Sequence, residues 1–258
     1  MNILFIGDIV AKPGRDAVKK LLPELKQKNE VDFVIANVEN LSHGRGITEE
    51  TLQEMLEAGI DFFTGGDHMF WQKGTEDLFD KFPIIRPANY PDTVVGPGYV
   101  VAEVKGKKVL IMNFMGRTSF GGPSVYLNDP FTRADEILNM YADEDIYAFI
   151  VDFHADATSE KAAFGFYLDG RVTAMLGTHT HIPTCDNRSL PKGTLFVSDV
   201  GMTGNIDSVL GVKKEIILNL YLTAQNQRFE WETTGKSALR SVLLDVDNNK
   251  IDRFDFLV

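Results

Sequence analysis

One cysteine, Cys185, occurs in 258 residues, so the chain can form no internal disulfide. That suits a reducing compartment, and a cytoplasmic location is expected. No apolar run reaches the length needed to cross a bilayer, so membrane partners are not expected. Basic residues are scarce, 26 Lys and Arg against 37 Asp and Glu, for a net charge of −11. Such a surface disfavours long nucleic acids, whose binding rests largely on phosphate neutralisation. It does not exclude a small phosphate ester, because bound metal ions can reverse the local field. The first eight residues have neither a basic stretch nor a small-residue cleavage site, and they read as a core strand rather than a signal peptide. There is no internal repeat, low-complexity tract or linker, and the composition (44% hydrophobic, 24% charged) is that of an ordinary globular chain.

What is present is an alternation of apolar runs and amphipathic segments. Residues 3–6 form a run that ends in Gly7-Asp8. Val18, Leu21, Leu22 and Leu25 follow at helical spacing. Residues 32–36 predict a second strand that leads to Glu39-Asn40. Thr48 is placed to cap a helix with Glu49 and Glu50 in its first turn, and Gly59 is placed to end it. Residues 60–64 predict a third strand, running into Gly66-Asp67-His68. The alternation implies βαβ crossovers and a largely parallel sheet, whose working crevice lies at the carboxyl ends of its strands. Further on, residues 99–104 and 108–114 flank Lys105-Gly106-Lys107 as a hairpin. Strands are expected over 147–151, 172–176 and 194–198. Helices are expected over 132–141, 158–168 and 213–222, and a closing hairpin turns at Asn248-Asn249. A single domain, residues 1–258, with two sheets between helical layers is the simplest arrangement.

Three of the five histidines sit in two motifs that directly follow strand-like runs, Phe153-His154-Ala155 and Gly177-Thr178-His179-Thr180-His181. In an extended segment the side chains of His179 and His181 would point the same way and could face one centre. Each residue has a bland reading when taken alone. His154 could be a core histidine, Asp8 a helix cap, and Glu39-Asn40 turn chemistry. His43, in His43-Gly44-Arg45-Gly46, reads as a loop residue and not a ligand. Together, Asp8, Glu39, Asn40, Asp67, His154, His179 and His181 place seven ligand-type side chains at successive strand ends. One tetrahedral zinc needs three or four ligands, so seven suit two ions that share a bridging carboxylate. Imidazole with carboxylate suits Fe, Mn or Zn more than Mg or Ca. Two ions about 3.5–4 Å apart hold phosphoryl groups and deprotonate a bridging water.

The order Gly-Asp, Glu-Asn, Gly-Asp-His, a strand-end His, then Gly-Thr-His-Thr-His resembles the calcineurin-like metallophosphoesterase superfamily. In wording it is closer to the bacterial YmdB-like branch, whose members are 2′,3′-cyclic nucleotide phosphodiesterases. The matching stretches run from FIGDIVAKPGR (5–15) through NVENLSHGRG (37–46), RPANYP (86–91), DPFTRADE (129–136), VDFHADATSEK (151–161) and GTHTHIPT (177–184) to PKGTLFVSDVGMTG (191–204). The resemblance implies a four-layer αββα sandwich of the α/β class. It implies Asp8, Asn40 and His181 on one metal, His154 and His179 on the other with Asp67 completing that site, and Glu39 as the bridge. His68 would contact phosphate and protonate the leaving oxygen. The implied cofactors are two divalent or trivalent ions, Fe or Mn first and Zn as a further option. The implied reaction is in-line attack of a metal-bridging hydroxide on a small phosphodiester, with cyclic nucleotides as substrates and a homo-oligomer left open.

Two departures stand out. The superfamily opens with Asp-x-His where this chain has Asp8-Ile9-Val10, a loss common in the branch. The branch usually has Gly-Asn-His where this chain has Gly66-Asp67-His68. The added carboxylate is expected to tighten metal binding and weaken Lewis acidity. Arg45 and Arg117 are candidates for a phosphate clamp, and Asp152 and Asp156 for orienting His154. Two rival readings are a dinuclear ester or lactone hydrolase and a metal-binding regulatory protein with weak catalysis.

Overall fold

A computed structural model describes residues 1–118 and 126–258. Two six-stranded sheets are stacked in it. The first contains β1 (Asn2–Ile6), β2 (Phe33–Asn37), β3 (Phe62–Thr64), β10 (Gly204–Asn205), β11 (Ser237–Asp245) and β12 (Lys250–Leu257). Its order is β10-β11-β1-β2-β3, with β12 paired to β11. The second contains β4 (Tyr99–Val104), β5 (Lys107–Met115), β6 (Ala148–His154), β7 (Ala174–Thr178), β8 (Arg188–Ser189) and β9 (Leu195–Val197), in the order β4-β5-β6-β7-β9-β8.

The expectation of a largely parallel sheet holds only for the centres. β1, β2 and β3 run parallel, as do β5, β6, β7 and β9. The flanks are antiparallel. The pairs β4–β5 and β11–β12 are joined by tight turns, and such turns can only produce antiparallel neighbours.

The period-2 geometry of the strands sorts their side chains into layers. Leu4 and Ile6 of β1 and Val34 and Ala36 of β2 pack on one side. Their partners are Val18 and Leu22 of α1 (Ala11–Lys28) and Leu52 and Met55 of α2 (Glu49–Glu57). Ile3, Phe5 and Ile35 face the other way and meet Ile111, Ile150, Leu176 and Val197 of the second sheet. The outer face of that sheet, through Leu110, Met112, Val151 and Phe153, packs on α3 (Pro130–Met140) and α4 (Thr158–Leu168). The result is the four-layer αββα sandwich. Burial on both faces explains why the central strands read as unbroken apolar runs. A fifth helix, α5 (Lys214–Thr223), is largely exposed and buries only Ile217.

Thr48 caps α2 as expected, in a capping box closed by Thr51, and Gly59 follows the helix at φ +103°. The two-residue strands β8 and β10 and the 3-10 turn Thr75–Leu78 have no counterpart in the sequence reading, because they are too short to carry periodicity. Among the described residues, no helix is long and apolar enough to cross a membrane.

Candidate metal centre and active-site cleft

The carboxyl ends of β1, β2 and β3 and those of β6 and β7 open on one rim, and polar side chains join the two sheets beneath it. Asn37, at the end of β2, donates from Nδ2 to Asp152 Oδ2 of β6 (3.0 Å) and to the Gly65 carbonyl (3.1 Å). Thr64, at the end of β3, donates to Asp152 Oδ2 at 2.5 Å. The Gly65 N–H donates to Asn113 Oδ1 of β5 at 3.1 Å. Asn37, Thr64, Asn113 and Asp152 are fully buried, so each needs these partners.

This layer orients His154. Thr178 Oγ1 donates to Asp152 Oδ1 at 2.7 Å, so its oxygen is free to accept from His154 Nδ1 at 3.0 Å. A proton held on Nδ1 leaves the Nε2 lone pair facing the rim. Nε2 lies 3.0 Å from Asp67 Oδ1, 3.1 Å from His179 Nδ1 and 3.5 Å from Glu39 Oε1. Gly66 permits this approach, because a Cβ there would fall 2.4 Å from both Glu39 Oε2 and His154 Nε2.

The structure brings all seven candidate ligands together. Asp8 Oδ1 is 3.8 Å from His154 Nδ1 and 3.9 Å from His181 Nε2. Asn40 Nδ2 donates to Glu39 Oε1 at 3.0 Å and lies 3.4 Å from His181 Nε2. Asp67 Oδ1 is 3.4 Å from His179 Nδ1. Three triads, Asp67–His154–His179, Asp8–Glu39–His154 and Glu39–Asp67–His68, each gather ligand atoms within 4.8 Å of one another. Asp67 faces the cluster and is not turned away as a turn or cap residue. Asp8 is no helix cap either, since α1 begins after Val10 without a side-chain cap.

The segment from His179 to His181 is not extended as expected, because His179 has φ +96° and His181 φ +66°. The loop turns through left-handed backbone at both histidines, a conformation that costs energy for a non-glycine residue. It thereby sends the imidazoles to different partners, His179 to His154 and Asp67, and His181 to Asn40 and Asp8.

His68 sits at the edge of the cluster. Its N–H donates to Glu39 Oε2 (2.9 Å), and Nδ1 lies 2.8 Å from Asn40 Oδ1 and 3.1 Å from Glu39 Oε1. Nε2 is 3.6 Å from Asp67 Oδ2, and the ring meets Trp71 edge-on at 5.6 Å.

The electrostatics express a demand for positive charge. Burial raises the Asp67 carboxyl, but hydrogen bonds with His154 and His179 outweigh it and hold the group well below the usual carboxylate range. Burial likewise raises Glu39, and the charge of His154 beside it leaves the net shift downward. Burial depresses His154, yet Glu39, Asp67 and Asp8 push it up to about 10. His68 is depressed by burial and raised on balance by its hydrogen bond to Glu39. Asp152 rises to about 6, mainly through burial. Without a cation, protons on imidazoles offset the carboxylates, and a metal would take their place.

The residues fit such an ion. Asp8 Oδ1 is buried and has no hydrogen-bond partner among the described residues. An orphaned carboxylate oxygen facing two imidazoles is costly unless a cation meets it. The donors are oxygens and imidazole nitrogens, the set that suits first-row metals. The cluster therefore points to metal ions.

The supporting residues are less legible in the sequence. Asp152 does orient His154, through Thr178, whereas Asp156 is exposed and lines the cleft. Arg45 lines the cleft beside Glu39, Asn40 and His68. Arg117 does not; it pairs with Asp129 at 3.5 Å and borders a depression that shares no residue with the cleft. His43 is exposed in its loop, as expected. Asn37, Thr64 and Thr178 escape the sequence reading, and their only signal is a polar residue closing an apolar strand.

A sandwich of two sheets with a histidine–carboxylate cluster at one rim is the architecture of the metallophosphoesterases. The YmdB-like protein family model matches residues 4–255. A 2′,3′-cyclic-nucleotide 2′-phosphodiesterase of Bacillus subtilis is 45% identical over 249 residues, 96% of this chain and 92% of that protein. The crystal structure of a novel phosphatase from Mycoplasma pneumoniae superposes with TM-score 0.91 at 34% identity, covering 100% of this chain and 93% of the other. A 5′-nucleotidase precursor from Thermus thermophilus shares the fold alone, with TM-score 0.55 at 14% identity over 100% of this chain and 54% of its own. The chain belongs to the YmdB-like family.

Proposed function

We propose that the chain is a metal-dependent phosphodiesterase that takes 2′,3′-cyclic nucleotides, holding two ions of the Fe, Mn or Zn type. The observation that carries the reading is the position of Glu39 between two ligand groups. Its Oε1 lies 3.0 Å from Asn40 Nδ2 on one side and 3.5 Å from His154 Nε2 on the other. A carboxylate has two oxygens and can serve two ions, whereas one imidazole nitrogen serves one. His154 and Asp67 also belong to two of the triads, but Glu39 is the better bridge, because it is a carboxylate that shares a triad with Asp8 and touches Asn40 as well as approaching His154. Asp8, Asn40 and His181 would hold one ion, and Asp67, His154 and His179 the other. Asn40 Oδ1 is directed at His68, so the amide would exchange its oxygen and nitrogen positions to offer oxygen beside His181.

When bound, the ions would neutralise the phosphate oxygens and lower the pKa of a water. The protein's own part is to hold and move a proton. His68 is raised in pKa by Glu39, is partly exposed, and lines the cleft, as a group that protonates the departing ribose oxygen should. The name of the B. subtilis relative supports scission of the 2′ bond, which leaves a nucleoside 3′-monophosphate.

Protein reconstituted with Mn, Fe or Zn should convert 2′,3′-cyclic AMP to 3′-AMP, read by chromatography, and should contain close to two equivalents of metal by elemental analysis. Absence of turnover with all three metals would sink the catalytic reading. A stoichiometry that never exceeds one would sink the dinuclear one.

A further inference from the structure

Beside the metal cluster the cleft changes character. One side is Glu39, Asn40, His68, His179 and His181. The rest of the lining is largely an apolar wall that includes Val212, Ile217, Leu220, Tyr221, Phe229 and Trp231, and the cavity measures about 360 Å³. That is within the ~300–1,000 Å³ typical of small-molecule sites. The wall comes from α5 and the segments on either side of it, and Tyr221 (83% exposed) and Phe229 (37%) remain open to solvent.

The loop that carries Arg45 is shaped against this wall. Gly44 has φ +74°, and a Cβ on it would sit 2.1 Å from the Trp231 ring. Only glycine lets the backbone lie against the indole there. The next residue then reaches the cleft, with the Arg45 guanidinium 4.9 Å from the Trp71 ring centre and 5.7 Å from that of Phe229. A planar cation lying over two aromatic faces thus lines the same cleft as the metal cluster and the wall.

We propose that this wall is a nucleobase subsite, a step that rests on the phosphodiesterase reading above. The phosphate lies at the metal cluster, the base lies against Phe229 and Tyr221, and Arg45 faces the negative charge between them. The wall residues named above carry few hydrogen-bonding groups, the Tyr221 hydroxyl and the Trp231 indole N–H. Recognition is therefore by stacking, which every base can provide. Discrimination among the four bases should stay far below the about 10⁴-fold reached by sites that read hydrogen bonds.

The chain has two tryptophans, Trp71 and Trp231, and both border this region, so their emission reports binding without turnover. Nucleoside 3′-monophosphates should quench it. Ribose 3-phosphate, which has no base, should bind about 5- to 100-fold more weakly, the range of one base–aromatic stack. Tyr221→Ala and Phe229→Ala should weaken nucleotide binding by a similar factor, and Tyr221→Phe and Phe229→Tyr should restore it. In turnover by metal-loaded protein, the alanine variants should raise KM for 2′,3′-cyclic nucleotides several-fold more than for glycerol 1,2-cyclic phosphate, with kcat little changed, as loss of uniform binding requires. Loosening of Arg45 alone would affect both substrates equally. Equal affinity for nucleotide and ribose phosphate, or equal losses on both substrates, would overturn the subsite while leaving the phosphodiesterase reading intact. Base-dependent binding without cleavage of either substrate would uphold the subsite and overturn the phosphodiesterase reading alone.

Discussion

Lys161 Nζ lies 2.6 Å from Asp199 Oδ2, and neither side chain has more than 1% exposure. The same carboxylate accepts from Thr180 N (3.0 Å), Thr180 Oγ1 (2.7 Å) and, through Oδ1, Gly201 N (2.8 Å). Lys161 also donates to the Thr178 carbonyl at 2.8 Å. One ion pair thus ties α4 to the loop that carries His179 and His181. That loop holds two histidines at positive φ, a strain that surrounding contacts must offset.

Lys161→Met should therefore do more than loosen a helix. It leaves Asp199 buried without its cation, a change that costs about 3–5 kcal/mol. Thermal unfolding should show the loss as a drop in Tm, and metal titration should show weaker binding because His179 and His181 lose their support. Wild-type metal affinity in a folded Lys161→Met protein would detach the pair from the site.

His68→Gln should reduce kcat by about 10²–10⁴-fold, the span of general acid–base catalysis. Elemental analysis should find the metal content unchanged, since His68 is assigned to proton transfer and not to an ion. If the ions leave with the imidazole, His68 is a ligand and the assignment of the acid is wrong.

Asp67→Asn removes one negative charge from a cluster that also contains Asp8 and Glu39. With less charge to offset the cations, the rising limb of the pH–rate profile should move to lower pH. The ion nearest His154 and His179 should be lost to chelators more readily, because Asp67 Oδ1 lies within 3.4 Å of both histidines. Competition with a chromogenic chelator reads the second effect. Identical curves for the two proteins would remove Asp67 from the ligand set.

Phe164→Ala tests the outer core independently of the site. The ring is fully buried and meets Phe153 at 4.3 Å, Phe131 at 5.1 Å and Phe114 at 5.5 Å between ring centres. Truncation should cost about 3–5 kcal/mol in denaturant unfolding. A loss below about 1 kcal/mol would mean that the layer of α3 and α4 repacks freely.

Asp8, Glu39, Asn40, Asp67, His154, His179 and His181 were legible in the sequence for a simple reason. Strands buried on both faces read as apolar runs, and a polar residue that ends such a run marks the rim of the sheet. The first helix was legible through its 3.6-residue period, and the ends of the second through cap chemistry at Thr48 and Gly59. The sequence by itself thus determined the alternation of elements, the two-sheet layering and the set of side chains at the rim.

Tertiary structure alone decided how those side chains meet. Nothing local to residues 177–181 predicts positive φ at His179 and His181, because the partners that hold the loop, Asp8, Lys161 and Asp199, lie far away in sequence. The partnership of Asn37, Thr64, Asp152 and Thr178 joins strands of different sheets. Arg45 and Arg117 look alike as isolated cations, yet packing sends one to the cleft and the other to Asp129. The apolar wall joins Ile217, Leu220 and Tyr221, at helical spacing on α5, to Val212, Phe229 and Trp231 from the segments on either side, and no single period spans the set. Periodicity records which face of an element is buried; contacts between elements distant in sequence leave no such trace, and those contacts build the site.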